Sequence, residues 1–215
     1  MYAQGAFRIA DGAEAAALVR ASPFAILCLN GPDGPISAQA PLVGEVGPDG
    51  ALVALTGHIA RANPFWRGVG PEGAPALVLF RGEDAYVSPS AYPSKAAHGR
   101  VVPTWNYLAV EVRGQLTVET DPERMDPYLR QPTEMMEAGR ARPWSVDDAP
   151  ADYLAAMARG VIGIRIVVAS VEAMAKLSQN RDAADHAGVI ADFETREDPA
   201  ARRLAALMRQ ERTTA

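Results

Sequence analysis

The sequence predicts a mostly β chain of the α+β type, a barrel or sandwich with helices at its periphery. Three observations carry that prediction. Short apolar runs recur between Gly/Pro turns through the first half of the chain. One segment, 106–118, alternates with period two, and a β-branched run, 161–171, is nearly continuous. With 215 residues, 48% hydrophobic and 22% charged, the chain is long enough for a sizeable core and reads as a single domain over 1–215.

Residues 11–21 read as a helix, with Asp11 as N-cap and Glu14 completing a capping-box pattern before an alanine-rich run that Pro23 ends. A first strand at 24–29 turns at Gly31-Pro32-Asp33-Gly34-Pro35 into a return strand at 36–43. Further strands are expected at 51–56, 76–80 and, briefly, 85–88. In the alternating segment Asn106, Leu108, Val110, Val112, Gly114, Leu116 and Val118 share one face, which belongs in a core. Glu111, Arg113, Gln115 and Thr117 share the other. A helical insert spans about 121–159: Asp121 and Pro122 open one helix to about 138, and Pro150 opens another to about 159. The run 161–171 is a central strand, and about 199–212 forms a charged amphipathic C-terminal helix.

The formal net charge of −5 works against a general attraction to nucleic acid or anionic lipid. Cys28 is the only cysteine, which excludes an internal disulfide, and its apolar surroundings suggest a small buried hydrophobe. No apolar run approaches the roughly 20 residues of a membrane span, and the opening residues lack the pattern of a signal peptide, so a cytoplasmic location is expected. His58, His98 and His186 are not spaced as metal ligands, and no G-x-S-x-G, Walker A or G-x-G-x-x-G pattern occurs. Asp147-Asp148 and the pair Asp182 and Asp185 read as capping or solvated carboxylates.

Polar and aromatic residues gather in three expected loops: 57–67, 85–107 and 176–181. They suit a small anionic ligand such as a flavin nucleotide, whose phosphate needs Arg, Lys, Ser or backbone N–H donors. Its ring needs an aromatic wall and donors to the ring carbonyls. His58, Arg61 and Asn63, helped by Lys95 or Arg181, are candidates for the phosphate end, and Trp66, Trp105 and Tyr107 for the wall. The competing roles are ordinary ones: surface ion pairs for Arg61 and Arg67, core or interface anchors for the tryptophans, a turn for Ser88-Pro89-Ser90, and a cap for Asn180.

These loops resemble the PaiB family of FMN-binding negative transcriptional regulators. The matching stretches are Gly57-His58-Ile59-Ala60-Arg61-Ala62-Asn63-Pro64 with Trp66, Ala85-Tyr86-Val87-Ser88-Pro89-Ser90, and Val102-Pro103-Thr104-Trp105-Asn106-Tyr107. Further matches are Pro143-Trp144, Asp148-Ala149-Pro150, Lys176-Leu177-Ser178-Gln179-Asn180-Arg181, Pro23-Phe24-Ala25 and the opening Met1-Tyr2. The resemblance implies an FMN-binding split β-barrel with Greek-key-like connections, similar to those of pyridoxamine-phosphate oxidases and flavin reductases. It further implies a homodimer with FMN at the interface, and a flavin phosphate held along 56–63.

The residues it singles out for the cofactor are Thr56, His58, Arg61, Asn63, Trp66, Ser88, Lys95, Trp105, Asn106, Gln179 and Arg181. The chain departs from the family pattern at Gln39, Ala91, Glu111, Met174 and Ala175, where the family has histidine, tryptophan, histidine, lysine and tryptophan. Three functions compete. A flavin-binding regulator would need a basic patch for DNA, with Arg140 and Arg142, or Arg202, Arg203, Arg209 and Arg212, as candidates whose ordinary role is that of solvated charges. A flavin-dependent oxidoreductase would draw its chemistry from the flavin, with His58 and Tyr107 as candidate acid–base groups. A degenerate barrel would serve as a binding module.

Overall fold

The computed structural model describes the backbone of Met1 and residues 5–214, and side chains as far as residue 210. Tyr2 and the side chains of Glu211 and Arg212 lie outside the described residues. In chain order the elements are β1 (Arg8–Ile9), α1 (Gly12–Ala21), β2 (Phe24–Gly31), β3 (Gly34–Val46), β4 (Leu52–Ala60), β5 (Ala74–Val87) and α2 (Ser94–His98). They continue with β6 (Thr104–Glu119), α3 (Asp126–Glu137), α4 (Ala151–Ala158), β7 (Val161–Lys176), α5 (Ala183–Thr195) and α6 (Pro199–Thr214). Strands dominate, the ladders are antiparallel and the helices flank them, as the sequence predicts.

The chain resolves into two compact units. A barrel unit comprises Asp11–Phe80 and Val110–Glu172, and a second unit comprises Met1–Ala10, Arg81–Ala109 and Ala173–Ala215.

In the barrel unit the strands follow the order β7-β4-β3-β2-β5-β6, and β6 pairs again with β7, so the ring closes. The spatial order β5-β2-β3-β4 is a Greek key, three consecutive strands with the fourth returned beside the first. Period-two alternation sends Leu27, Leu42, Leu55, Val112, Leu116, Ile162, Ile164 and Ile166 into the core, where each is fully buried. Burial of one such side chain contributes about 1.5–3 kcal/mol. Asp11 caps α1 by accepting from the Ala13 N–H (2.8 Å), and Asp121 caps the turn before α3 by accepting from Glu123 N–H (3.0 Å).

In the second unit β1 pairs with the end of β7, Arg8 opposite Met174 and Ile9 opposite Ala173. Helices α5 and α6 pack on each other, burying Phe193, Leu204, Ala205 and Met208. Asp182 caps α5 through the Asp185 N–H (2.8 Å).

Several expectations are corrected. Residues 57–60 belong to β4 and not to a loop, because His58 and Ala60 keep their places in the ladder opposite Gly163 and Val161. The strands expected at 76–80 and 85–88 are one, since the polar stretch Arg81-Gly82-Glu83-Asp84 stays extended within β5. Strand β7 continues to Lys176. Helix α5 lies where no helix is expected. Cys28 is half-buried on β2 instead of fully buried. Glu111, expected on the open face, is buried beside Arg113, whose guanidinium lies 2.7 Å away. Asp185 is also buried and not solvated, because Ser94 covers it.

Candidate functional site

Five of the residues singled out by sequence lie in the barrel unit, along β4 and the turn after it. Thr56 is buried; its hydroxyl donates to Glu45 (3.1 Å) and accepts from Arg165 (3.2 Å). Arg165 also forks onto both oxygens of Glu45. The hydrogen bond from Arg165 outweighs burial and holds the Glu45 carboxyl below its usual range. His58 sits with Nδ1 3.0 Å from the Tyr128 carbonyl. A carbonyl only accepts, so Nδ1 carries the proton and Nε2 is left to other partners.

Arg61 donates from Nε to the Arg159 carbonyl (2.8 Å) and from Nη2 to the Thr120 carbonyl (2.7 Å). Those carbonyls flank the helical insert, so Arg61 straps its two ends to the end of β4. Asn63 caps the following turn by accepting from Phe65 N–H (3.0 Å), and the Trp66 indole N–H donates to the Arg61 carbonyl (2.9 Å). The structure thus brings these five together and uses each of them to build the segment.

The other six lie in the second unit. The Ser88 hydroxyl caps its turn by accepting from Ser90 N–H (3.2 Å), and Lys95 donates to the Ser90 hydroxyl (3.0 Å). Trp105 is 52% exposed and meets Tyr86 edge-to-face at 5.9 Å, an aromatic surface open to solvent. Asn106 is fully buried and accepts from the Ser178 hydroxyl (3.0 Å). Gln179 accepts from Leu177 N–H (2.7 Å) and donates to the Ala175 carbonyl (2.5 Å), which braces the turn carrying Arg181. Ser178, within that turn, holds φ at 62°, a left-handed conformation rare outside glycine.

Two of these six line clefts: Lys95 an open one of about 460 Å³, and Arg181 one of about 290 Å³. Phe7, Met174 and Tyr107 are the apolar and aromatic lining of the smaller cleft, and Thr104, Lys176, Ser178 and Asn180 join Arg181 as its polar lining. Lys176 donates to the Thr104 hydroxyl, and its ammonium lies 6.0 Å from the centre of the Tyr107 ring. Burial first, and then the charge of Arg181, pull the Lys176 pKa down from its ordinary value. Arg181 itself stacks on Tyr92, 4.7 Å from the ring centre.

Thr104 and Lys176 lie inside the matching blocks but are not among the residues the sequence singles out, and neither are Phe7, Glu45 and Arg165. The available signal for Arg165 was a lone cation inside an apolar strand run. Phe7 carried none. Met174, noted as a departure from the family pattern, belongs to the apolar lining of the smaller cleft.

Residues 1–170 match the family model described as "Putative FMN-binding domain". Protease synthase and sporulation protein PAI 2 of Bacillus subtilis is 31% identical over 208 residues, covering 97% of this chain and 96% of that protein. Among solved structures, the FAD and heme binding protein from Mycobacterium smegmatis superposes with a TM-score of 0.57 at 18% identity, over 84% of this chain and 78% of that one. The flavocytochrome Anf3 from Azotobacter vinelandii gives a TM-score of 0.54 at 14% identity, over 84% and 75%. These two share the fold, a split β-barrel. With the family model spanning most of its length and a relative alike almost from end to end, the chain belongs to the FMN-binding-domain family that includes PAI 2 of Bacillus subtilis, the PaiB-like family.

Proposed function

We propose that this protein binds FMN as a cytoplasmic homodimer and acts as one FMN-binding domain. The observation that carries the reading is the family match over residues 1–170 on a closed antiparallel barrel. Thr56, His58, Arg61, Asn63 and Trp66 in the barrel unit, and Ser88, Lys95, Trp105, Asn106, Gln179 and Arg181 in the second, are the proposed contact groups. When bound, FMN would supply one- and two-electron redox chemistry. This chain would supply donors to the phosphate, an aromatic wall at Trp105, and the Nε2 edge of the His58 ring. Among the described residues, no helix is long and apolar enough to cross a membrane.

The test is the absorbance spectrum of the purified protein, before and after FMN is added and the excess removed by gel filtration. Flavin bands that travel with the protein support the reading. A protein that elutes colourless from excess FMN contradicts it.

A regulatory role would be exerted indirectly, because three of the arginines proposed to face DNA are paired with carboxylates. Arg203 forks onto Glu83, Arg209 onto Glu194, and Arg140 lies 3.3 Å from Glu137. A flavin-dependent oxidoreductase is the second reading, favoured by the fold shared with a flavocytochrome. Turnover of NAD(P)H by the flavin-loaded protein would support it.

A further inference from the structure

A cleft of the second unit brings two cations together with no acidic side chain among its described lining residues. Lys176 and Arg181 both line it, and its other lining side chains are Phe7, Thr104, Tyr107, Met174, Ser178 and Asn180, none of them acidic. Among the described residues neither cation makes an ion pair. Asp185, the carboxylate whose charge reaches Arg181, has its two oxygens taken by the Ser94 N–H (3.0 Å) and hydroxyl (2.7 Å). Two like charges sharing a partly buried space repel each other, and the lowered pKa of Lys176 is the mark of that repulsion added to burial.

The segment is also built at a cost. Ser178 is held left-handed between the two cations, and its hydroxyl is pinned to the fully buried Asn106. Such strain persists where the surrounding structure over-determines it, and it is concentrated at ligand sites. Here it turns the chain so that Lys176, Asn180 and Arg181 line one space.

We propose that this cleft is a phosphomonoester-binding site, with Arg181 and Lys176 holding the phosphate and Phe7, Met174 and Tyr107 facing the body of the ligand. A phosphate dianion answers two cations, and its three terminal oxygens use the added Thr104 and Asn180 donors better than a carboxylate would. At about 290 Å³ the cleft is at the small end of ligand pockets, which suits one end of a nucleotide or a whole small ester. The ester is either the terminal phosphate of the flavin or a separate small molecule; the first alternative rests on the function proposed above.

The experiment measures FMN, riboflavin and phenyl phosphate binding to the wild type, Lys176→Met, Arg181→Met and Arg181→Lys, with each variant's melting temperature recorded. If the cleft takes the flavin phosphate, the preference for FMN over riboflavin falls about tenfold or more in the methionine variants. Riboflavin affinity then stays unchanged, and Arg181→Lys restores part of the preference. If it takes a separate ester, phenyl phosphate binds the FMN-loaded wild type and is lost in those variants, while FMN affinity holds. A wild type that ignores flavin yet binds phenyl phosphate through these two residues removes the flavin reading and keeps the cleft. Variants that melt like the wild type and change neither measurement overturn the proposal.

Discussion

Arg61 shows how much one side chain does here. Its two donors reach the carbonyls of Arg159 and Thr120, which flank the helical insert, so its loss loosens both ends at once. Arg61→Ala is expected to destabilise the fold by about 1 kcal/mol, the charge-assisted bonds being discounted for their partial exposure. That corresponds to a fall of about 2–4 °C in melting temperature for a chain of this size, in the absence of any flavin. An unchanged melting curve would mean the strap carries no load.

Ser178→Ala removes the donor that reaches buried Asn106 and is expected to cost about 1–3 kcal/mol in a denaturant titration. Glu45 makes a pH prediction. Arg165 lowers its pKa in the folded chain below the ordinary 4.5, so the contribution is whole above that value and fades as pH falls through the folded one. Stability should therefore drop more steeply below about pH 4.5 in the wild type than in Glu45→Gln, by no more than about 1 kcal/mol after solvent screening. Parallel acid limbs in the two proteins would remove Glu45 from the account.

At the scale of elements, closure of the barrel depends on β6 and β7 lying close. A Cβ at Gly114 would stand 2.2 Å from the Val167 carbonyl oxygen, a backbone atom that cannot swing aside. Gly114→Ala should cost about 2 kcal/mol or more, or prevent folding, as seen by circular dichroism on heating.

The alternation of β6 was legible because its even-numbered residues are apolar and its core contacts come from one face. Helix α5 was less so. Its apolar positions Val189, Ile190 and Phe193 do recur at helical spacing, but the buried Asp185 and His186 interrupt the face, and the hydrogen bonds from Ser94 that satisfy Asp185 are not registered by a pattern of hydrophobicity. The Gly57-His58 step and the polar run at 81–84 misled too, since both stay extended within β4 and β5. In the candidate site, Arg181 was legible as a loop cation. The partnership of Lys176, Met174 and Phe7 was not, because pairing between β1 and β7 brings together residues far apart in the chain.

For the whole molecule, the family and barrel were readable from long motif blocks, and the homodimer is what the resemblance implies. Exposed Tyr86, Val102 and Trp105 in the second unit give it an apolar surface that a second copy of the chain could cover. The proposed homodimer predicts twice the chain's 22.8 kDa by light scattering at micromolar concentration. A monomer mass there, with FMN bound, would separate flavin binding from dimerisation.

Whether this chain binds a flavin nucleotide is decided by a stoichiometric titration of FMN, followed through the quenching of its fluorescence. Binding at the proposed site is expected to saturate at one FMN per chain. A fluorescence that rises linearly with added FMN, with no break at any ratio, would contradict it.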